Sequence, residues 1–247
     1  DINVRLLKDI IKQTKKKFTA NKMITLINKI YEKMIQDPDY ENFIKFHRCF
    51  NKALLAISNK QYWTAVQHFN EALQYDASQL DLHRGLAKCF SCLGYHEAAN
   101  IAYNNAFTIN PTHYYLNLSY GWHLLSIRQP QDALNHFEYT TKLSKHHNEE
   151  KNLLTAKAIA CERIGDDEKA EAYYERATNL NKRIYANAHF NFGMFLQRLG
   201  RYAEAKSQLE IYVEVVPNKF IHKQSLMLAL DTLNIQCKYN YSMDISI

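Results

Sequence analysis

Small and aromatic residues recur in this chain at a fixed interval of 34 positions, and that interval constrains the fold more than any other feature. Ala99, Tyr103 and Ala106 stand four and three residues apart; 34 positions earlier lie Ala65, Phe69 and Ala72, and 34 later Ala133, Phe137 and Thr140, without a gap. The marks resume as Ala170, Tyr174 and Ala177, and 35 residues on as Ala205, Leu209 and Tyr212. Steps of three and four put side chains on one face of an α-helix. Before each later set runs another apolar-periodic segment, carrying Leu86-Ala87 and Phe90, Tyr120-Gly121 and Leu124, Ala158 and Cys161, or Phe192-Gly193 and Leu196. The segments of a copy separate at Gly94-Tyr95, Arg128-Gln129-Pro130, Gly165-Asp166-Asp167 and Gly200-Arg201-Tyr202, so each copy is predicted to be a helix–turn–helix. A helix pair cannot bury its apolar face alone, and a period of roughly 20–50 residues therefore means stacked units.

Five copies are expected, over 46–79, 80–113, 114–150, 151–185 and 186–219, with a looped insertion at His146 to Glu150. Residues 1–45 read as a basic helical pair, with Val4, Leu7, Ile10 and Ile11 and then Ile24, Ile27, Ile30, Tyr31 and Met34 at helical spacing, ending at Asp37-Pro38-Asp39. Its role is to cap the array, or alternatively to pair two chains as a homo-oligomer. Residues 220–238 form a second cap through Leu226, Leu228, Leu230 and Leu233, because a terminal unit would otherwise leave its apolar face in water. Residues 239–247 read as a tail.

The 34-residue pattern resembles the tetratricopeptide repeat, over about residues 46–219, with Pro111 and Pro217 in the closing position. That resemblance implies an all-α, right-handed α-solenoid of five helix–turn–helix repeats with capping helices. Phe69, Tyr103, Phe137 and Tyr174 are then core, as are Tyr202 and Tyr212. The first helices of the family line a concave groove. By the repeat phase, repeat one brings Phe50 and Leu54 to it, repeat two Arg84 and Lys88, and repeat three Tyr115, Leu118, Trp122 and Leu125. Repeats four and five add Asn152, Asn187, Asn191 and Arg198. An aromatic middle with basic and amide-bearing flanks suits a protein or peptide partner, an extended peptide or a partner helix. The Lys and Asn clamp that some members use on chaperone tails is not matched, since the corresponding positions hold Arg84, Lys88, Ser119, Asn152 and Ala156.

A narrower resemblance covers residues 114–236. Tyr120-Gly121-Trp122, the expansion before Lys151, GDDEKAEAYYERATNLN (Gly165 to Asn181) and GRYAEAKSQLEIYVEVVP (Gly200 to Pro217) resemble the bacterial PilF/PilW family. It implies help to the type IV pilus secretin and a periplasmic, outer-membrane-associated place. Residues 1–45 have no counterpart in that pattern, and Cys49 lies too deep to carry a lipid. The alternatives are a cytosolic chaperone for secreted proteins, a regulatory domain of a longer transcription factor or enzyme, and a purely structural scaffold.

Composition removes other classes. No stretch approaches the ~18 apolar residues of a membrane span. Residues 1–45 hold ten Lys or Arg against six acids, which reads as a solvated face rather than a nucleic-acid footprint. The chain opens on Asp1, as a processed or trimmed product is expected to. Five cysteines give no disulfide framework, and Cys89-x-x-Cys92 lies within a helix with no second pair. His146-His147 with Glu149-Glu150 is the nearest approach to a metal cluster, but adjacent histidines point apart. With no phosphate loop, nucleophile elbow or zinc motif, neither an enzyme nor a cofactor or metal is expected.

Overall fold

A computed structural model describes residues 38–143, 147–179 and 186–215; the helices expected within 1–36, the cap at 220–238 and the tail lie outside them. The described residues form ten α-helices and no strand. They follow in five pairs: α1 (Pro38–Ser58) with α2 (Tyr62–Leu73), α3 (Leu80–Leu93) with α4 (His96–Ile109), and α5 (Tyr114–Ser126) with α6 (Pro130–Leu143). The last two are α7 (His147–Ile164) with α8 (Asp167–Asn179) and α9 (Ala186–Arg198) with α10 (Tyr202–Val215).

Two helices begin earlier than the pattern suggests. α1 starts at Pro38 rather than near Phe46, with Asp39 and Glu41 in its first turn. Proline's fixed φ and two carboxylates both suit a helix N-terminus. α7 starts at His147, so His147 to Glu150 are its first turn and not a loop.

Every pair is joined by the same turn. In each, a residue closing the first helix takes a left-handed conformation: Lys60 (φ 59°), Gly94 (80°), Arg128 (61°), Gly165 (90°) and Gly200 (78°). The next N–H reaches back five residues, as in Gln61 N to Ala56 O (2.8 Å), Tyr95 N to Phe90 O (2.9 Å) and Gln129 N to Leu124 O (2.9 Å). Asp166 to Cys161 and Arg201 to Leu196 repeat it at 3.0 Å. This is the Schellman closure, which satisfies carbonyls orphaned at a helix end. Glycine adopts the left-handed region without penalty, whereas Lys60 and Arg128 carry the steric cost of their Cβ atoms. Arg128→Gly is therefore expected to stabilise the fold by about 0.5–1 kcal/mol, read as a raised urea midpoint. In the fourth turn Asp166 Oδ1 accepts from Lys169 N at 3.2 Å, capping α8.

The chain divides into two compact units, one ending at Leu82 and the other beginning at His83. In the first, α2 buries Ala65, Phe69 and Ala72 completely, and Phe69 meets Phe50 of α1 edge-on at 5.6 Å. In the second, Tyr103, Phe137, Tyr174 and Leu209 are at most 1% exposed. Each of these large residues stands 16 positions after a small one: Ala53 before Phe69, Ala87 before Tyr103, Gly121 before Phe137, Ala158 before Tyr174, Gly193 before Leu209. The pairing has a steric cause at the two glycines. A Cβ on Gly193 would lie 2.7 Å from Leu209 Cγ, and one on Gly121 would overlap the Phe137 ring. Tyr202 and Tyr212, expected in the core, are instead half-buried and pack against Leu209.

Candidate functional site

α3, α4 and α5 of the second unit enclose a cleft of approximately 500 Å³. α3 gives one wall through Arg84, Lys88, Ser91 and Cys92, and α5 gives the other through Tyr115, Leu118 and Trp122. Tyr103 of α4 and Ser119, His123 and Ser126 of α5 complete the lining. Five of the expected groove residues thus meet here: Arg84, Lys88, Tyr115, Leu118 and Trp122. Tyr115 is 50% exposed and Trp122 40%, although the indole also rests edge-on against the buried Phe137 ring at 5.9 Å. Phe137 therefore fixes one side of Trp122 and leaves the other to the cleft.

The cleft floor is a hydrogen-bonded network. Asn100 Oδ1 can only accept, so His123 Nε2 donates to it at 3.0 Å, and His123 Nδ1 accepts from the Ser91 hydroxyl at 2.6 Å. Burial favours the neutral imidazole, which has these roles, and the ring joins α3, α4 and α5. The Tyr103 hydroxyl donates to the Ser119 carbonyl at 3.0 Å and lies 2.9 Å from its Oγ. Burial pushes the Tyr103 phenol up to about 12. His123, Cys92 and Ser126 are lining residues that repeat phase does not single out. A signal for two of them is present: Ser119, His123 and Ser126 follow one another at steps of four and three, a polar stripe on an otherwise apolar helix.

Burial, and then neighbouring His96, hold His123 below the ordinary histidine pKa; burial alone does so for His136, whose Nε2 is buried without a partner. The folded state binds these protons less readily than the unfolded chain. Stability is therefore fully present above about pH 6.5 and is lost as pH falls, by at most about 1.4 kcal/mol per pH unit for each histidine. Urea midpoints at pH 7.5 and 5 should show this loss. His136→Phe, whose ring neighbours are Phe107, Tyr120 and Tyr139, should remove one share of it.

Asn191 and Arg198 line a second cleft of approximately 420 Å³, with Ile159, Glu162, Arg163 and Tyr174. Arg198, expected as a cation facing a ligand, instead binds Asp167 through Nη2 and Glu162 through Nε at 3.2 Å. Glu162 accepts the Tyr174 hydroxyl at 3.0 Å on its other oxygen. The guanidinium is a tie among α7, α8 and α9. Arg163 donates to the Leu125 carbonyl at 2.7 Å, serving the C-terminal end of α5.

Leu125 leaves the candidate site. It is 2% exposed and sits in the core with Phe137, Leu124 and Leu153, because its place on α5 faces α6 and α7. Phe50 is half-buried, held between Phe46 and Phe69, whereas Leu54 is 46% exposed; both belong to the first unit. Asn187 is exposed near the start of α9, outside the lining of either cleft, and the side chain of Asn152 lies outside the described residues. Cys89 and Cys92 are free thiols, the first buried and pushed up to about 12, the second exposed. Among the described residues no group of three or more His, Cys, Asp or Glu could hold a metal, and no helix is long and apolar enough to cross a membrane.

A family model described as "Tetratricopeptide repeat" matches residues 152–183 and 186–215. A stretch of 52 residues is 40% identical to the TPR repeat-containing protein YsoA of Bacillus subtilis, covering 21% of this chain and 16% of that protein. Among solved structures, TTC0263 of Thermus thermophilus, a thermophilic TPR protein, superposes with a TM-score of 0.67 at 14% identity, over 77% of this chain and 99% of that one. PilW, described as a widely conserved type IV pilus biogenesis factor, gives 0.65 at 17% identity over 80% and 89%. PilF of Pseudomonas aeruginosa gives 0.62 at 15% over 82% and 90%. These likenesses show the fold.

Proposed function

We propose that this chain, which has a tetratricopeptide-repeat fold and matches that repeat's model over residues 152–183 and 186–215, is a non-enzymatic interaction module that holds an extended peptide or a partner helix in the α3–α5 cleft. One observation carries the reading: Trp122 and Tyr115 stand exposed on a cleft whose inner surface is already hydrogen-bonded. A large aromatic left accessible above a rigid floor is the arrangement of a binding anchor, since it loses little conformational entropy when covered. A cleft near 500 Å³ also falls in the size range of ligand sites.

The test is selection of a displayed random peptide library on the full chain, followed by titration of the selected peptides against Trp122→Ala. Removing the anchor should weaken binding about 30-fold, the equivalent of roughly 2 kcal/mol, with far-UV helicity unchanged. Peptides that bind both proteins equally would remove Trp122 from the site. The finer reading, assistance to type IV pilus assembly, draws support from the fold shared with PilF and PilW. TTC0263 shares that fold as closely, so we carry forward the peptide-binding reading.

A further inference from the structure

We propose that the α3–α5 cleft is selective for acidic peptides, taking an apolar side chain between Tyr115, Leu118 and Trp122 while a neighbouring Asp or Glu side chain reaches Lys88. This rests on the peptide-binding reading above and adds the chemistry of the partner.

The charge balance of the lining carries the argument. No carboxylate lines the cleft, and of its two cations Arg84 already has a partner within the molecule, which leaves Lys88 as the charge a ligand meets. The second cleft shows the opposite design, with Glu162 built into its wall and bound to Arg198. Lys88 is exposed on α3 and lines the same cleft as the aromatic side chains of α5. Other polar groups of the lining are committed inwards: Ser91 to His123, and Tyr103 to Ser119. A ligand therefore meets aromatic and aliphatic surface in the middle and positive charge at one edge. A basic ligand would bring a like charge against Lys88 as it covered Trp122, and an uncharged one would gain no Coulombic attraction from it.

Three fluorescein-labelled peptides of one length and one central Phe distinguish the outcomes, differing only in their flanks: Glu, Ser or Lys. At about 50 mM salt the Glu peptide should bind the full chain about fivefold more tightly than the Ser peptide, the scale of one exposed ion pair. The Lys peptide should bind least. At about 500 mM salt the difference should shrink toward one, because an exposed pair is screened. Lys88→Gln should abolish the preference for Glu over Ser, and Lys88→Glu should reverse it toward Lys, both without change in melting temperature. Equal binding of the Glu and Ser peptides would overturn the acidic selectivity while leaving an apolar anchor site in place. Binding of none of the three would overturn both this inference and the peptide-binding reading. A Glu preference that survives high salt and Lys88→Gln would assign the selectivity to another surface and overturn the proposal.

Discussion

Phe137→Ala should cost the protein about 3–5 kcal/mol, on the order of a 10 °C fall in Tm, because the ring is wholly buried and its removal leaves a cavity. The site cannot collapse to fill that space. Gly121 already lies against the ring on one side, and Trp122 packs edge-on at 5.9 Å on another. The complementary change, Gly121→Ala, should cost about 1–3 kcal/mol by forcing a methyl group into the same ring. Put together, the two should cost less than their sum, since the added methyl occupies part of the space the ring vacates. Urea midpoints for the wild type, both single variants and the double variant close this cycle. An additive result would show that the two positions do not share one space.

Tyr103→Ala is expected to be comparably severe, at about 3–5 kcal/mol, and to act on the cleft as well, because the same side chain is 1% exposed and forms its floor. Tyr103→Phe separates the effects. It keeps the packing and deletes only the hydroxyl that donates to the Ser119 carbonyl, a loss of about 1 kcal/mol. Alkaline conditions give an independent reading. The folded phenol is pushed up to about 12 by burial, whereas the unfolded one ionises near its ordinary value of about 10. Stability should therefore fall as pH rises above about 10, and Tyr103→Phe should lose that part of the slope. A melting temperature unchanged in Tyr103→Ala would contradict its place in the core.

Much of the fold can be read from spacing alone. Repeat phase places Phe69, Tyr103, Phe137 and Tyr174 in the core, and each is at most 1% exposed. Phase works because a residue that recurs at one angular position of one helix meets the same neighbour in every copy. It works less well on α10, where Tyr202 and Tyr212, expected in the core, are half-buried against Leu209. The turns are half legible. Gly94, Gly165 and Gly200 announce a left-handed residue, whereas Lys60 and Arg128 adopt the same conformation with no such mark, held there by the same backbone hydrogen bonds.

The candidate site divides along the same line. Phase puts Arg84, Lys88, Tyr115, Leu118 and Trp122 on one side of their helices, and the structure brings them around one cleft. It misplaces Leu125, which is on the same helix as Trp122 but close enough to α6 and α7 to be buried by them. It also leaves Arg198 open to a partner, where the structure pairs it within the chain.

From sequence alone follow the repeat, the alternation of helices and turns, and the identity of the core, because these depend on the residue types at fixed steps along one helix. Only the tertiary structure decided which exposed cations are already paired and which surface encloses a volume. Arg198 meets Glu162 and Asp167 across 36 and 31 residues of chain, and His123 meets Ser91 across 32. Such partners are set by how neighbouring helix pairs pack, which the periodicity within one helix does not encode.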